Sequence, residues 1–266
     1  NQPSEKTRIL PQFSMDFKEK EVFLSIIPVP VIQAESKAFK DKLKIELKSQ
    51  NSEDKIYYWT YNEEAENNIV GVSLLYKNLI EISKTTSVYA FIKNENQSSD
   101  TISATFFKKP NQFSINIKSK YNPQYHAGGP EGLLDGILGT ENWRKGDWQG
   151  YQSQDFEAVV DLQDVKSITE ISARFLQDQR SWILMPTKVD YYISEDNINF
   201  TYYDSVANTL DPKVEENTIV NFTSNETKGK KARYVKVVAK NFGKLPEWHQ
   251  GFGGDAFIFV DEITIK

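Results

Sequence analysis

A glycine-rich stretch in the middle of the chain carries the residues best suited to hold a metal ion. It runs from Asp135 to Trp148 and reads Asp-Gly-Ile-Leu-Gly-Thr-Glu-Asn-Trp-Arg-Lys-Gly-Asp-Trp. Its glycines interrupt helical and strand periodicity, which predicts an irregular loop whose backbone groups need partners. Asp135 and Thr140 offer side-chain oxygens, and a hard cation such as calcium prefers about six to eight oxygen ligands. The stretch is therefore either a cation-binding loop or a simple turn at Asp135 and Gly136.

Other residues with catalytic side chains are present, but their spacing does not favour catalysis. Asp261 and Glu262 form an adjacent acidic pair, yet neighbouring side chains of a regular strand point to opposite faces. Histidine occurs only at His126 and His249, which excludes a histidine-rich metal centre. Composition leaves a Ser-His-Asp arrangement open, but there is no Gly-x-Ser-x-Gly motif, no cysteine and no glycine-rich phosphate-binding fingerprint. We therefore expect no catalytic activity from this chain.

Aromatic residues in the expected loops suit a different task, the binding of sugars. A pyranose ring has an apolar face of C–H groups and a polar edge of hydroxyls, so it binds against an aromatic ring flanked by hydrogen-bonding groups. Trp148 ends the glycine-rich loop and could face such a rim, and Trp248 and His249 precede the last strand. Trp248 and His249 are either ligand contacts or packing residues against the segment 125–126.

Length, composition and charge limit the classes of protein to which the chain can belong. Its 266 residues favour two domains at roughly 150 residues each, and 39% hydrophobic with 26% charged residues is typical of globular proteins. The net charge of −5 argues against nucleic acid as a partner. No run reaches the roughly 18 apolar residues of a membrane helix, so we expect no membrane span. The chain opens at Asn1 without an initiator methionine, which favours a processed product or a piece of a longer protein.

Alternating apolar residues predict strands along most of the chain and no long helix. Residues 43–48 alternate apolar and charged side chains, the period-two pattern of a half-buried strand, and a new alternating strand begins at Phe113. The polar residues 1–20 predict a tether, residues 108–112 a junction, and Asp196–Asn197 a hairpin turn. The other predicted strands cover residues 56–60, 86–92, 102–107, 156–162, 169–175, 188–194, 233–239 and 258–265.

Five segments of the second half, in this order, carry a resemblance to a known family: 132–143, 156–162, 189–200, 233–237 and 261–263. Together they resemble the discoidin, or coagulation factor 5/8 type C, domain, a family that includes the carbohydrate-binding modules of family 32. Residues 121–129 and 245–263 resemble, more narrowly, the C-terminal discoidin domain of bacterial family 20 β-hexosaminidases. The resemblance implies a galactose-binding-like jelly roll over residues 111–266.

Three segments of the first half, 55–58, 75–77 and 82–90, resemble the immunoglobulin-like domain that follows the catalytic barrel in chitobiases and hexosaminidases. Where that family has a Thr-x-Asp-Gly-x-x-Pro hairpin, residues 59–64 lack both Gly and Pro. Asn62 is the nearby residue that tolerates positive φ. The resemblance implies an immunoglobulin-like β-sandwich over residues 21–110, so the expected fold class is all-β, with two tandem β-sandwiches.

The resemblance to the discoidin family also assigns a structural cation to the glycine-rich loop. In that family the ligands are an Asp, a backbone group two residues later, a Thr, and a Glu near the end of the chain. These positions fall on Asp135, Ile137, Thr140 and Glu262, and Ile137 could contribute only its carbonyl oxygen. The implied ion, calcium or sodium, would pin the loop to the closing strand.

The same resemblance assigns sugar binding to the loop over residues 177–182. Relatives place a sugar-binding arginine there, which falls on Arg180, with Asp178 beside it. Alternatively, Arg180 pairs with Asp178 at the surface, an interaction worth little. Trp182 lies in an apolar run, so we expect it to be a core residue, and we expect Trp143 to pack under its loop.

The expected function is that of a non-catalytic accessory module. The resemblance implies a carbohydrate-binding part of an exported glycoside hydrolase similar to β-hexosaminidases, located in the periplasm, at the cell surface or in the medium. Its partners would be a glycan and a catalytic domain on the N-terminal side, and tethering would raise the effective substrate concentration. Two alternatives remain, since a fold does not fix a ligand. The domains could be purely structural and pack on that catalytic barrel, or they could form a surface adhesion module.

Overall fold

The computed structural model describes residues 27–62, 72–94, 97–225 and 229–266. Within these ranges the regular structure is β-strand, apart from three short 3-10 helices. No helix among the described residues is long and apolar enough to cross a membrane. The all-β fold class predicted from the sequence is confirmed. The expected tether over residues 1–20 lies outside the described residues, as do residues 63 and 64 of the expected hairpin turn over residues 59–64.

Eight strands of residues 31–108 form a first sandwich of two sheets. One sheet has three strands in the order β1-β3-β6, and the other has five in the order β2-β8-β7-β4-β5, in which β2 and β8 are parallel. The alternation predicted for residues 43–48 is confirmed, because Leu43, Ile45 and Leu47 are buried. The strands are β1 Val31–Ala34, β2 Ala38–Phe39, β3 Leu43–Lys48, β4 Ile56–Tyr61, β5 Leu74–Leu75, β6 Ile80–Ile82, β7 Thr86–Ile92 and β8 Ile102–Lys108.

Nine strands of residues 114–265 form a second sandwich, in which every strand pair is antiparallel. Its sheets have the orders β10-β17-β12-β15 and β14-β13-β16-β11-β9. The strands are β9 Ser114–Ile117, β10 Gln149–Gln152, β11 Phe156–Ile168, β12 Ile171–Gln177, β13 Lys188–Ser194, β14 Thr201–Ala207, β15 Thr218–Thr223, β16 Lys230–Ala239 and β17 Phe257–Ile265.

Each sandwich has a hydrophobic core of its own between its two sheets. The core of the second sandwich includes the fully buried rings of Tyr151, Phe156 and Phe175, whereas that of the first includes Ile45 and Val88. The apolar patterns in the sequence found most of these strands. They missed β1, β2, β5, β6, β10 and β15, each of which lies at the edge of its sheet.

The predicted hairpin between β13 and β14 is confirmed. The two strands pair in register around residues 195–200, and Asn197 has a positive φ of 62°. Asp196 stabilises the turn, because its Oδ1 accepts the backbone N–H groups of Ile198 and Asn199 at 2.9 and 2.8 Å. These hydrogen bonds favour the charged carboxylate and hold the pKa of Asp196 far below its usual value.

Ion pairs connect the two sandwiches across the segment between β8 and β9. Lys37 of the first sandwich binds Asp147 of the second at 2.9 Å, and Lys109 binds Glu131 at 2.5 Å. The Lys109 side chain is only 10% exposed, so this contact is shielded from solvent on one side. Both acidic partners flank the glycine-rich loop. The first sandwich is therefore held against the stretch in which the sequence predicts a cation.

Candidate functional site

The glycine-rich loop lies against β17 and is held by the two acidic residues of that strand. Glu262 Oε2 accepts the N–H of Gly136 at 3.2 Å, and Asp261 Oδ2 accepts the N–H of Gly139 at 2.7 Å. A short 3-10 helix over Pro130–Leu134 leads into the loop and places Asp135 at its C-terminal end. Asp135 and Glu262, far apart in sequence, are thereby brought to the same turn.

A β-bulge explains how both acidic residues of β17 reach one loop. Opposite β12, Glu262 pairs with Arg174 and Val260 pairs with Phe175, so Asp261 is an extra residue without a partner. A bulge of this kind re-aims side chains that would otherwise alternate between faces. The expectation that Asp261 and Glu262 point to opposite faces, which holds for a regular strand, is wrong here.

Burial makes the charged forms of Asp135 and Glu262 unfavourable. Asp135 is 9% exposed and Glu262 is 6% exposed. Loss of hydration raises the pKa of Asp135 to about 6 and that of Glu262 to about 9, and the nearby negative charge of Asp135 adds to the second shift. In the part of the chain that the structure describes, neither carboxylate forms an ion pair. A cation between them would compensate both charges.

The other two predicted metal ligands are also at this loop. The N–H of Ile137 donates to Asp135 Oδ1 at 2.8 Å, which closes the turn. The carbonyl oxygen of Thr140 accepts the indole N–H of Trp148 at 2.9 Å, and the Thr140 residue is exposed. Among the described residues no group of three or more His, Cys, Asp or Glu side chains is placed to hold a metal ion. An ion here would therefore need hydroxyl, carbonyl or water oxygens beside the two carboxylates, which is the ligand type that hard cations accept.

A partly buried arginine completes the contacts between the loop and β17. Arg174 forms a short ion pair with Asp261, donates to the carbonyl of Gly139 at 2.9 Å, and lies 5.4 Å from the centre of the Trp148 ring. Burial raises the pKa of Asp261 to about 7, while Arg174 and the Gly139 N–H oppose that shift. Sequence reasoning missed Arg174. The available signal is its position between the apolar residues Ala173 and Phe175 of β12.

Trp148 is a core residue, which corrects the expectation that it faces a ligand rim. It is 1% exposed and packs with Leu176, Ile183 and Phe259. Its indole also contacts Gly139 so closely that a Cβ there would lie 2.3 Å from Trp148 Nε1. The expectation that Trp143 packs under its loop is confirmed, since it packs against this cluster.

Asp178 has a structural role, contrary to the expectation that it binds a ligand. It is 6% exposed, and its Oδ2 accepts the indole N–H of Trp143 at 2.9 Å and the Ser181 hydroxyl at 2.8 Å. The alternative pairing of Arg180 with Asp178 is also wrong. Arg180 instead forms a short ion pair with Glu215, and both side chains of that pair are more than half exposed.

His249 anchors the loop before β17 and does not face a ligand. It is 3% exposed, its Nδ1 accepts the N–H of Gly251 at 2.9 Å, and its Nε2 lies 2.6 Å from the carbonyl oxygen of Gln179. Because Nδ1 accepts, Nε2 carries the proton and donates to that oxygen. The expected alternative, packing against the segment 125–126, stays a prediction, since the hydrogen bonds of the ring go to the 177–182 loop and to its own loop. As expected, Trp182 packs inward, and its ring covers Gly251.

Two aromatic side chains of the same loop remain accessible. Trp248 is 41% exposed and Phe252 is 65% exposed. Lys213 Nζ lies 5.7 Å from the centre of the Trp248 ring, and Arg180 is connected to this loop because Gln250 donates to its carbonyl at 3.0 Å. Of the five predicted ligand residues, the structure therefore leaves Trp248 and Arg180 at the surface. Phe252 and Lys213 were missed; an aromatic among glycines marks Phe252, whereas nothing local marks Lys213.

Comparisons with known proteins give one matching family model and several similar solved structures. The family model described as F5/8 type C domain matches residues 114–254. No curated protein matches the sequence. A chitobiase C-terminal domain from Bacteroides fragilis is 18% identical, covering 57% of this chain and 89% of that one, with a TM-score of 0.36. The family 32 module of NanJ from Clostridium perfringens, solved with galactose, is 16% identical, covering 57% and 92%, with a TM-score of 0.34. CpGH89CBM32-5 from the same organism, solved with GalNAc-β-1,3-galactose, is 18% identical, covering 57% and 94%, with a TM-score of 0.36.

The close contact between Gly139 and Trp148 predicts that a methyl group at position 139 is not tolerated. We expect Gly139→Ala to lower the free energy of unfolding by about 1–3 kcal/mol, as overpacked cores do. Chemical denaturation measures this change, and Glu141→Ala, in the exposed part of the same loop, is the matched control. Equal unfolding midpoints for Gly139→Ala and the control would show that the contact is looser than described.

The two buried carboxylates predict a pH dependence of stability in the metal-free protein. Their pKa values are raised by folding, so the folded chain binds these protons more tightly than the unfolded chain. The resulting stability is complete below about pH 4 and is lost as the pH rises towards about 9. In a chelator, we expect Glu262→Gln to lose less stability than the wild type between pH 5 and pH 9. If the plots of melting temperature against pH are parallel for the two proteins, ionisation of the buried Glu262 carboxyl does not cause the loss of stability.

Proposed function

The chain belongs to the F5/8 type C domain family, and from that premise we propose that it is a non-catalytic module that binds a glycan through the loops around Trp248. The observation that carries the proposal is the pair of accessible aromatic rings, Trp248 and Phe252, on one firmly anchored loop. Aromatic rings offer large apolar faces at a small cost in side-chain entropy, which suits the C–H face of a sugar ring.

The anchoring of this loop supports ligand binding. Because the loop is already held in place in the free chain, it loses little conformational entropy when a ligand binds. His249 uses both ring nitrogens to hold the loop, and Trp182 packs beneath its glycines. The backbone adds hydrogen bonds from Gly253 to Leu245 and from Leu245 to Gly254. Preorganisation of this kind turns more of the contact energy into affinity.

Polar groups next to the rings can recognise sugar hydroxyls. Arg180 and Glu215 form an ion pair whose side chains are 66% and 62% exposed, so the pair adds little to folding stability. Its donors and acceptors can therefore form charge-assisted hydrogen bonds with a ligand at small cost. Lys213, beside Trp248, adds a third charged group to the same surface.

A structural cation, calcium or sodium, is part of the proposal. Asp135 and Glu262 would hold it together with Thr140 and the carbonyl oxygen of Ile137. This assignment is supported by the burial of the two carboxyl groups at one turn, where neither has an ion-pair partner among the described residues. When bound, the ion neutralises the two carboxylates. The chain's own residues then keep the loop in place, through Asp261, Arg174 and the backbone N–H groups of the glycines.

The wider setting of the module is an exported glycoside hydrolase similar to β-hexosaminidases, acting outside the cytoplasm. Residues 21–110 serve as an immunoglobulin-like spacer, and residues 111–266 form the glycan-binding domain. The resemblance of both halves to accessory domains of such enzymes supports this setting, as do the two separate hydrophobic cores. A glycan held by the second half would remain near a catalytic domain at high effective concentration.

Glycan binding through these loops predicts a specific loss in one variant. We expect the chain to bind one of galactose, N-acetylgalactosamine or N-acetylglucosamine, and Trp248→Ala to weaken that binding about tenfold or more, as truncated aromatic anchors do. Calorimetric titration measures both. The matched control is Tyr202→Ala, which removes a ring of similar exposure from β14. Wild-type protein that binds no sugar, or equal affinities for the two variants, would refute the proposal and favour a structural role.

The cation predicts a stabilisation that depends on the two buried carboxylates. We expect calcium at pH 8 to raise the melting temperature of the chelator-treated wild type, because an ion that binds only the folded state stabilises it. Asp135→Asn and Glu262→Gln should not respond, and Asp164→Asn, at a surface turn of β11, should respond like the wild type. If all four proteins respond equally, calcium stabilises the chain at a site other than Asp135 and Glu262.

A further inference from the structure

A row of aromatic side chains lies on the outer face of the first sandwich. In the pairing of β4 with β7, Tyr57 is opposite Phe91 and Trp59 is opposite Tyr89. The neighbouring Ile92 is fully buried in the core, so these alternate residues lie on the other face of the sheet. All four rings are half-buried. They belong to a different half of the chain from the loops around Trp248.

The rings of this row stack in pairs and so form a stable platform. The Trp59 and Tyr89 rings are 5.0 Å apart and nearly parallel, at 3°. The Tyr57 and Phe91 rings are 5.8 Å apart at 25°. Such cross-strand aromatic pairs stabilise a sheet, which means that the platform exists before any ligand binds.

Two lysines continue the row beyond Tyr57 and Phe91. The N–H of Lys93 donates to the carbonyl of Lys55 at 3.0 Å, and the register of the strands makes these residues direct neighbours across the sheet. Like charges that face each other in this way are unfavourable. Within the described ranges, neither ammonium group has an ion-pair partner.

A cavity of about 450 Å³ joins the lysines to the end of the aromatic row. It is lined by Glu53, Lys55, Tyr57, Lys93 and Asn94. One side offers the ring of Tyr57, and the other offers two cations together with an amide and a carboxylate. This combination matches a ligand that has an apolar face, hydroxyl groups and a negative charge.

We propose that this cavity binds an acidic saccharide. The sugar ring contacts Tyr57, its carboxylate or sulfate group lies between Lys55 and Lys93, and Asn94 and Glu53 bind its hydroxyls. The negative group removes the repulsion between the lysines and forms charge-assisted hydrogen bonds with both. A neutral sugar could accept hydrogen bonds from the lysines but would leave the repulsion between them in place, so charge is the feature that the cavity selects. The site is separate from the loops around Trp248 and does not depend on the function proposed for them.

The test is a titration of the full chain with three oligosaccharides of similar length. One carries hexuronic acid carboxylates, one carries sulfate groups, and one is neutral. We expect at least one acidic oligosaccharide to bind, and the double variant Lys55→Gln/Lys93→Gln to weaken that binding about tenfold or more. Added salt should weaken it too, since screening acts on exposed charges. Lys44→Gln, which removes the charge of an exposed lysine on the other sheet, is the surface-charge control and should bind like the wild type.

The outcomes separate this site from the one around Trp248. The proposal is supported if Trp248→Ala still binds the acidic saccharide and the double lysine variant does not. Melting curves show whether each variant folds. The proposal is overturned if neither acidic oligosaccharide binds at millimolar concentration, or if the double variant binds as well as Lys44→Gln. It is also overturned if binding depends on Trp248 alone, or if single-stranded nucleic acid competes at lower concentration than either saccharide.

Discussion

The second sandwich buries three carboxyl groups between a loop and the closing strand, and their hydrogen bonds hold the loop in place. Asp135, Asp261 and Glu262 are each less than one-tenth exposed, and only Asp261 has an ion-pair partner. A carboxylate removed from water is unfavourable unless hydrogen bonds or cations compensate it. The N–H groups of Gly136 and Gly139 compensate part of this charge, Arg174 another part, and the remainder is the physical reason to expect a cation.

The same loop connects this charge to the arrangement of the whole chain. Glu131, which precedes the loop, pairs with Lys109 of the junction, and Asp147 within the loop pairs with Lys37 of the first sandwich. Trp148, at the end of the loop, packs in the second sandwich. Lys37 and Lys109 also lower the pKa of Asp135 against the larger effect of burial. The shape of the loop thus affects the core of one sandwich and the attachment of the other.

Alternation of apolar residues in the sequence predicted the fold class and most strands, because the pattern depends on which side of a strand faces the core. The roles of single polar residues were harder to predict. Asp178 and His249 have side chains suited to ligand binding. In the structure, however, their polar atoms form hydrogen bonds that connect loops distant in sequence. Trp148 is next to an exposed loop in sequence and inside the core in space. Lys213 meets Trp248 only after folding.

The bulge at Asp261 limits how the end of the chain can change in length. A strand places successive side chains on alternate faces. Deletion of Asp261 would restore regular pairing with β12, and every residue of β17 on one side of the deletion would then point to the opposite face of the sheet. Ile263, now in the core, and Glu262, now against the glycine-rich loop, could not both keep their places. Substitutions along β17 can be accommodated one at a time, whereas a one-residue deletion would change several contacts together.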